Sequence, residues 1–183
     1  MLELILGGQK SGKSRRAELL AKDWLLQSPK HKAILIATAQ PWDEEMQQRI
    51  ARHRQDRAER VPGLTTVEEP LQLVQTIARL SQPDTLLVVD CLTLWLTNML
   101  MPADVKNTPI ASYFIAYSAM LSVAISKSTG PVVIVSNEIG LGVIPMGREV
   151  RAFVDALGKL NQSMAQVCDK VTFMAAGLPL SLK

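Results

Sequence analysis

A chain of 183 residues, 48% hydrophobic and 20% charged, has the make-up of one globular domain with a substantial core. Its formal net charge of +3 suits anionic substrates, and the lack of an aromatic-basic stripe argues against nucleic acid as a partner. No apolar run reaches the roughly 18 residues that cross a bilayer, and the N-terminus enters a strand at once, so a cytoplasmic chain without membrane span or signal peptide is expected.

Leu2-Glu3-Leu4-Ile5-Leu6 predicts a strand, and a helix is expected from Arg15 onward. Between them stands Gly7-Gly8-Gln9-Lys10-Ser11-Gly12-Lys13-Ser14. Gly7, Gly12, Lys13 and Ser14 fit the spacing G-x-x-x-x-G-K-[ST], in which loop N–H groups and a helix N-terminus converge on nucleotide phosphates. Lys13 would neutralise β/γ oxygens there, and the Ser14 hydroxyl would hold Mg²⁺. The helix carries an apolar stripe of Ala17, Leu20, Trp24 and Leu25, followed by a polar turn in which His31 is expected to face solvent.

Residues 33–37 form a continuous apolar run, the pattern of a strand buried on both faces in a parallel sheet. It leads through Thr38-Ala39-Gln40 to Pro41 and an acidic first turn, Asp43 to Glu45, of a helix ending near Arg57. A weaker strand at 64–67 belongs near an edge, and Glu68-Glu69-Pro70 opens a helix whose apolar face is Leu71, Val74, Ile77 and Ala78. Thr85–Asp90 is the next buried strand, closing on a carboxylate. An apolar helix over Leu92–Leu100, a loop at 102–109 and a long helix at 110–127 come next. A buried strand at 132–136 exits into the glycine-rich but apolar segment 137–145, and helix Arg148–Val167 and a strand at 171–175 complete the pattern. Strands alternating with helices predict an α/β fold of the P-loop NTPase type. Its expected form is a single domain over residues 1–183, with a doubly wound, mostly parallel sheet and helices on both faces. Ligands in such folds bind beyond the carboxyl ends of the strands.

The residues at those exits carry the chemistry. Asp90 is placed as a Walker-B carboxylate that orients water or Ser14 around Mg²⁺, a role compatible with capping the helix at Leu92. His53 shares a helical face with Met46 and Ile50, the pattern of a packing histidine on a solvated basic helix. Arg49, Arg52, Arg54 and Arg57 nevertheless surround it in sequence, and neighbouring cations favour a neutral imidazole with a free lone pair, as a nucleophile for phosphorus requires. Glu68 and Glu69 supply charge at a helix N-terminus or accept from guanine or ribose. Asn137-Glu138 reads either as a turn or as a pair that orients a substrate hydroxyl or a metal-bound water, and Pro145 breaks any dinucleotide fingerprint begun by Gly140 and Gly142. Cys91 and Cys168, without C-x-x-C spacing, are expected to be reduced, buried and inert.

Across nearly its whole length the chain resembles the bifunctional adenosylcobinamide kinase / adenosylcobinamide-phosphate guanylyltransferase family of cobalamin biosynthesis. The resemblance rests on the phosphate loop, Ile36-Ala37-Thr38-Ala39, and the helix from Asp43 through Arg49-Ile50 to His53-Arg54. It extends to Val67-Glu68, Asp90-Cys91-Leu92-Thr93 with Thr97-Asn98, Ser136 to Gly142 with Pro145, and Arg151 to Asn161-Gln162. It implies that His53 is guanylylated by GTP with loss of pyrophosphate and passes GMP to adenosylcobinamide phosphate, after an ATP- or GTP-dependent kinase step on adenosylcobinamide. It implies nucleotide contacts from Gly7, Gly8, Gln9, Lys10, Ser11, Gly12, Lys13, Ser14, Ala37, Thr38, Ala39, Arg54, Gln55, Asp56, Arg57, Glu68 and Asp90, with Lys13 also catalytic. Mg²⁺ would sit at Ser14 and Asp90. Where some members carry adjacent histidines this chain has Arg52-His53, and where some carry Glu it has Asp90, whose shorter arm would reach the metal through water. A homotrimer is implied, with helix Leu92–Leu100 as one place for subunits to meet.

Other P-loop classes fit less well. A regulatory GTPase wants Asp-x-x-Gly and Asn-Lys-x-Asp where this chain has Asp90-Cys91-Leu92-Thr93 and Asn137-Glu138-Ile139-Gly140. A nucleic-acid motor wants a channel of aromatics that is not present in the sequence. A plain metabolite kinase would leave His53 without a role.

Overall fold

In the computed structural model the apolar runs become strands of one seven-stranded sheet. Residues 1–41, 43–100 and 110–183 are described, apart from the side chains at 49, 53 and 110–114. The strands are β1 (Leu2–Gly7), β2 (Lys32–Ala37), β3 (Leu64–Glu68), β4 (Thr85–Asp90), β5 (Val132–Val135), β6 (Lys170–Ala175) and β7 (Leu178–Ser181). Their order is β3-β2-β4-β5-β1-β6-β7, parallel throughout except for the antiparallel β6–β7 pair. The helices are α1 (Lys13–Gln27), α2 (Glu44–Arg60), α3 (Leu73–Leu80), α4 (Leu92–Leu100), α5 (Ile110–Ser126) and α6 (Arg148–Val167).

Right-handed crossovers place these helices. The connections β1–α1–β2 and β2–α2–β3 step in one direction along the sheet, so α1 and α2 share a face. The connections from β3 to β4, β4 to β5 and β5 to β6 step back, which puts α3, α4, α5 and α6 on the other. Strand residues alternate accordingly: Ile5, Leu35, Leu86, Val88, Val133 and Val135 pack under α1, while Leu4, Leu6, Ile36, Leu87, Val89 and Ile134 pack under the four-helix layer. Ala17 and Ala21, both buried, let α1 lie close on β4, β2 and β5.

Five expectations are corrected. The hairpin strand β7 is absent from the sequence reading because Pro179 argues against a central strand, whereas an edge position opposite Met174 tolerates it. Helix α3 begins at Leu73, since the Glu69 carboxylate accepts from the Leu71 and Gln72 N–H groups (3.0 and 2.7 Å) and holds 71–72 as a turn. Its buried face is Leu73, Thr76 and Ile77, leaving Leu71 and Ala78 exposed. Helix α2 runs on to Arg60, three residues past the expected end. His31 is half-buried, stacked on Trp24 with ring centroids 3.8 Å apart and its Nδ1 2.8 Å from the Trp24 carbonyl. Finally, no residue of α4 is fully exposed: Leu92, Trp95, Leu96 and Asn98 are buried and Leu94, Met99 and Leu100 half-buried, so most of the apolar surface expected on this helix is covered by the chain's own core. The segment 102–109 lies outside the described residues.

Trp95 is fully buried and donates its indole N–H to the Leu71 carbonyl (3.1 Å). Trp95→Ala should therefore destabilise the fold by about 3–5 kcal/mol, and Trp95→Phe, which keeps most packing but orphans that carbonyl, by about 1–3 kcal/mol in urea titrations. Burial pushes the Cys91 thiol up to about 11 and the Cys168 thiol up to about 12. Iodoacetamide at neutral pH should label neither cysteine until the chain unfolds; stoichiometric alkylation of the native protein would contradict their burial.

Candidate active site at the carboxyl edge of the sheet

Residues 7–14 make the turn that the glycine spacing requires. Gly7 has φ 147°, and a Cβ there would lie 2.4 Å from the Met174 carbonyl and 2.7 Å from Ser11 Oγ. Gly12, with φ 101°, precedes the first turn of α1 and passes close to Gly177 in the β6–β7 turn, whose N–H donates to the Ser11 carbonyl (3.0 Å). The hairpin missed in the sequence thus buttresses the loop. Gly8, Gln9 and Lys10 are exposed at its crest. Lys13 reaches back across it, donating to the Gly8 carbonyl at 2.6 Å, and is only 7% exposed. Burial lowers its pKa, with Cys91 and Asp90 opposing. Because the Cys91 thiol is itself neutral at physiological pH, the Asp90 carboxylate is the group that matters there. An ammonium held by one carbonyl in a buried loop has donors left for anionic oxygens.

Parallel register aligns the other exits. Ala37 is paired with Glu68 on one side and Asp90 on the other, Asp90 with Val135, and Val135 with Ile5, two residues before Gly7. Polar side chains tie these ends together. The Thr38 hydroxyl donates to the Cys91 carbonyl (2.7 Å) and accepts the Cys91 N–H (2.9 Å), and it is fully buried. Asn98 donates to the carbonyls of Thr38 and Pro70. Thr93 accepts the Asn137 N–H, and Asn161 donates to the Asn137 carbonyl while accepting from Ser136 Oγ. Thr38 therefore braces β2 against β4 with its side chain, and Ala37 and Ala39 beside it are half-buried. Asn98 and Asn161 stood out in the sequence only through the family resemblance, and their bracing role carries no local signal.

Helix α2 starts on Asp43, whose carboxylate accepts the Met46 N–H (2.7 Å), and its acidic first turn and basic last turn both complement the helix dipole. Three of its arginines, Arg54, Arg57 and Arg60, are engaged with carboxylates. Arg54 pairs with Glu68 at the end of β3. Arg60 bridges Asp56 and Glu18, each at 2.8 Å. Arg57 donates to Thr66 Oγ1 (2.9 Å) with its Nε 3.8 Å from Glu18, and it is 8% exposed. Gln55 is exposed and bonds Glu59. Sequence reasoning missed Glu18, the buried carboxylate on α1 that receives α2. The signal was available as an acid between Ala17 and Ala21, on the side of the helix that packs inward. Position 53 lies one turn before Arg57 and two before Arg60 along α2; the side chains of His53 and Arg49 lie outside the described residues. The β3 exit is four strands from the β1 exit, about 19 Å at roughly 4.8 Å per strand, so the α2 docking point and the phosphate loop are joined through α1 rather than by direct contact.

Ser14 and Asp90 present the hard oxygen donors that suit Mg²⁺ alongside phosphate oxygens and water, and the influence of Asp90 on Lys13 places its carboxylate near the loop. The pair fits such an ion, although no group of three His, Cys, Asp or Glu residues gathers among the described residues to hold a metal by protein ligands alone. A shallow apolar groove of about 370 Å³ lined by Val74, Met120 and Val123 lies on the α3–α5 face and offers nothing to orient a nucleotide. At the β5 exit the Glu138 N–H donates to the Gly7 carbonyl (3.1 Å), while its side chain accepts the Gly140 N–H (2.8 Å).

Known proteins resemble the chain over its full length. Bifunctional adenosylcobalamin biosynthesis protein CobP of Pseudomonas aeruginosa is 44% identical over 183 residues, covering 100% of this chain and 98% of that protein. The CobU proteins of Escherichia coli and Salmonella typhimurium, with the same bifunctional description, are each 32% identical over the full length of both chains. The flagellar accessory protein FlaH of Methanocaldococcus jannaschii superposes with a TM-score of 0.52 at 12% identity over 100% of this chain and 77% of its own, a likeness of fold alone. The family model described as cobinamide kinase / cobinamide phosphate guanyltransferase matches residues 3–182, and the chain belongs to that family.

Proposed function

We propose that this chain performs both reactions of its family at one carboxyl-edge site: phosphorylation of adenosylcobinamide by ATP or GTP, then transfer of GMP from GTP to adenosylcobinamide phosphate. The observation that carries this reading is the phosphate loop with Lys13 drawn across it, sharing a sheet edge with the α2–Glu68 contact. In the kinase step the aminopropanol hydroxyl attacks the γ-phosphorus, the bond to the β-phosphate oxygen breaks, and the nucleoside diphosphate leaves. Loop N–H groups and Lys13 take up the charge on the transferring group, with Lys13 exchanging the Gly8 carbonyl for phosphate oxygens. Glu138, whose backbone N–H donates to the Gly7 carbonyl, would orient the hydroxyl. Mg²⁺ held by Ser14 and Asp90 would supply further neutralisation of the phosphates.

In the second reaction a His53 nitrogen attacks the α-phosphorus of GTP, forming a P–N bond as pyrophosphate departs. A phosphate oxygen of adenosylcobinamide phosphate then attacks the same phosphorus, and the imidazole leaves with its lone pair restored. Imidazole suits both halves because it is a nucleophile and a good leaving group. Arg54 and Glu68 would contact the nucleotide, with Ala37, Ala39, Gln55 and Asp56 nearby. Glu18 would act through Arg57 and Arg60, which tie the last turn of α2 to the phosphate-loop helix. Among the described residues the ties of α2 to the body are polar pairs in its second half, and a pivot about them would bring His53 to the α-phosphorus. A cytoplasmic homotrimer without a nucleic-acid partner completes the proposal.

Incubation with [α-³²P]GTP and Mg²⁺ should leave an acid-labile label on the wild-type chain. His53→Ala should abolish that label while sparing some kinase turnover, and undiminished protein-bound GMP in the variant would refute the role. Lys13→Ala should lower both reactions about 100-fold or more, the size expected for one electrostatic group acting on transition-state charge. Glu18→Gln should slow guanylylation about tenfold with a smaller effect on the kinase step. Equal losses in both would reduce Glu18 to a folding residue.

A further inference from the structure

The loop that leaves β5 exposes apolar surface at the rim of the phosphate site. Val143 and Met146 are 96% and 95% exposed, Leu141 and Ile144 each 77%, and Ile139 is 40% exposed. Single exposed apolar side chains are ordinary, but a contiguous set beside an active site marks a binding surface. The segment is also held in place. The Glu138 N–H fixes its start to the Gly7 carbonyl, the Glu138 carboxylate accepts the Gly140 N–H, and Arg151 of α6 donates to the carbonyls of Pro145 (3.0 Å) and Met146 (2.5 Å). A loop pinned at both ends presents its side chains outward at little further ordering cost when something binds.

We propose that residues 139–146 form the seat for the corrin ring of cobinamide, an inference that rests on the function proposed above. The phosphates and the aminopropanol arm have no use for apolar surface and a purine base covers little of it, whereas the methyl- and methylene-edged macrocycle is large enough to cover the whole segment. Its place is also dictated by the reaction: the hydroxyl at the end of the arm must reach a phosphorus over Gly7 to Ser14, so the ring rests within one arm's length of that loop. The β5 exit adjoins β1 in the sheet and Glu138 is bonded to Gly7, so the exposed segment starts beside that loop.

Equilibrium dialysis of cobinamide tests this without requiring turnover. The triple variant Val143→Ser/Ile144→Ser/Met146→Ser, altered only at exposed side chains, should bind cobinamide at least tenfold more weakly than wild type while its GTP affinity stays the same. Val143→Met, which keeps the apolar area, should retain wild-type cobinamide binding. Equal cobinamide affinity in the triple variant overturns the assignment, as does a loss that accompanies dissociation into smaller species in sedimentation, which would make the loop an interface between copies. Wild-type protein that binds cobinamide through this loop yet takes no GMP from GTP would sink the transferase mechanism and leave this inference standing.

Discussion

The buried carboxylate of Glu18 is the interaction on which the account turns. It stands one turn into the helix that follows the phosphate loop and receives two guanidinium groups from the last turn of α2. Removing one partner of a buried ion pair leaves an uncompensated charge and typically costs about 3–5 kcal/mol, so this contact fixes where α2 can dock. Arg57 adds a hydrogen bond to Thr66 on β3. The most polar helix of the fold is thereby held to the element that carries Lys13 and Ser14 with little apolar packing of its own. An attachment made of charge pairs at one end suits a helix that carries a reactive group, because hydrophobic docking along its full length would leave no freedom for the group to approach and withdraw.

Around that contact the sheet supplies rigidity. Thr38, Thr93, Asn98, Ser136 and Asn161 bind the exits of β2, β4 and β5 to α4 and α6, each through hydrogen bonds whose partners are mostly backbone groups. Such satisfied buried networks fix one geometry, since any displaced member would leave a desolvated polar group behind. The phosphate loop is braced from the opposite side by Gly177 in the β6–β7 turn. The site therefore combines a stiff cradle for phosphates, a polar-tethered helix at one flank and an apolar rim at the other, as befits a chain that must handle a nucleotide and a large amphipathic acceptor in turn.

Much of this was legible in the residues. The phosphate loop declares itself because glycine at positions 7 and 12 answers a backbone requirement that no other residue meets. The central parallel strands β2, β4 and β5 announce themselves because burial on both faces demands apolar runs, whereas the edge strand β3 gives only a weak signal. The start of α3 was misplaced because Glu69 caps a turn with its side chain, and nothing in spacing distinguishes that from a helix N-terminus. The β7 strand was hidden by Pro179, and the burial of α4 by its evenly apolar composition, which does not reveal whether a subunit or its own core covers it. Arg49, Arg52, Arg54 and Arg57 surround position 53 on what the sequence presents as a solvated basic helix, yet Arg54 and Arg57 are matched to carboxylates, Glu68 and Glu18, from other elements. Pairings between separate elements depend on topology, and no local pattern encodes them.

The central claim is that α2 delivers its histidine to a nucleotide held over Lys13 and Ser14. A crystal structure with Mg²⁺ and a GTP analogue that cannot release pyrophosphate tests it most directly. A His53 ring nitrogen within about 3.5 Å of the α-phosphorus, opposite the bridging atom to the β-phosphate, is the predicted result. A ring left on the β3 side, with other side chains between it and the bound triphosphate, would contradict the account.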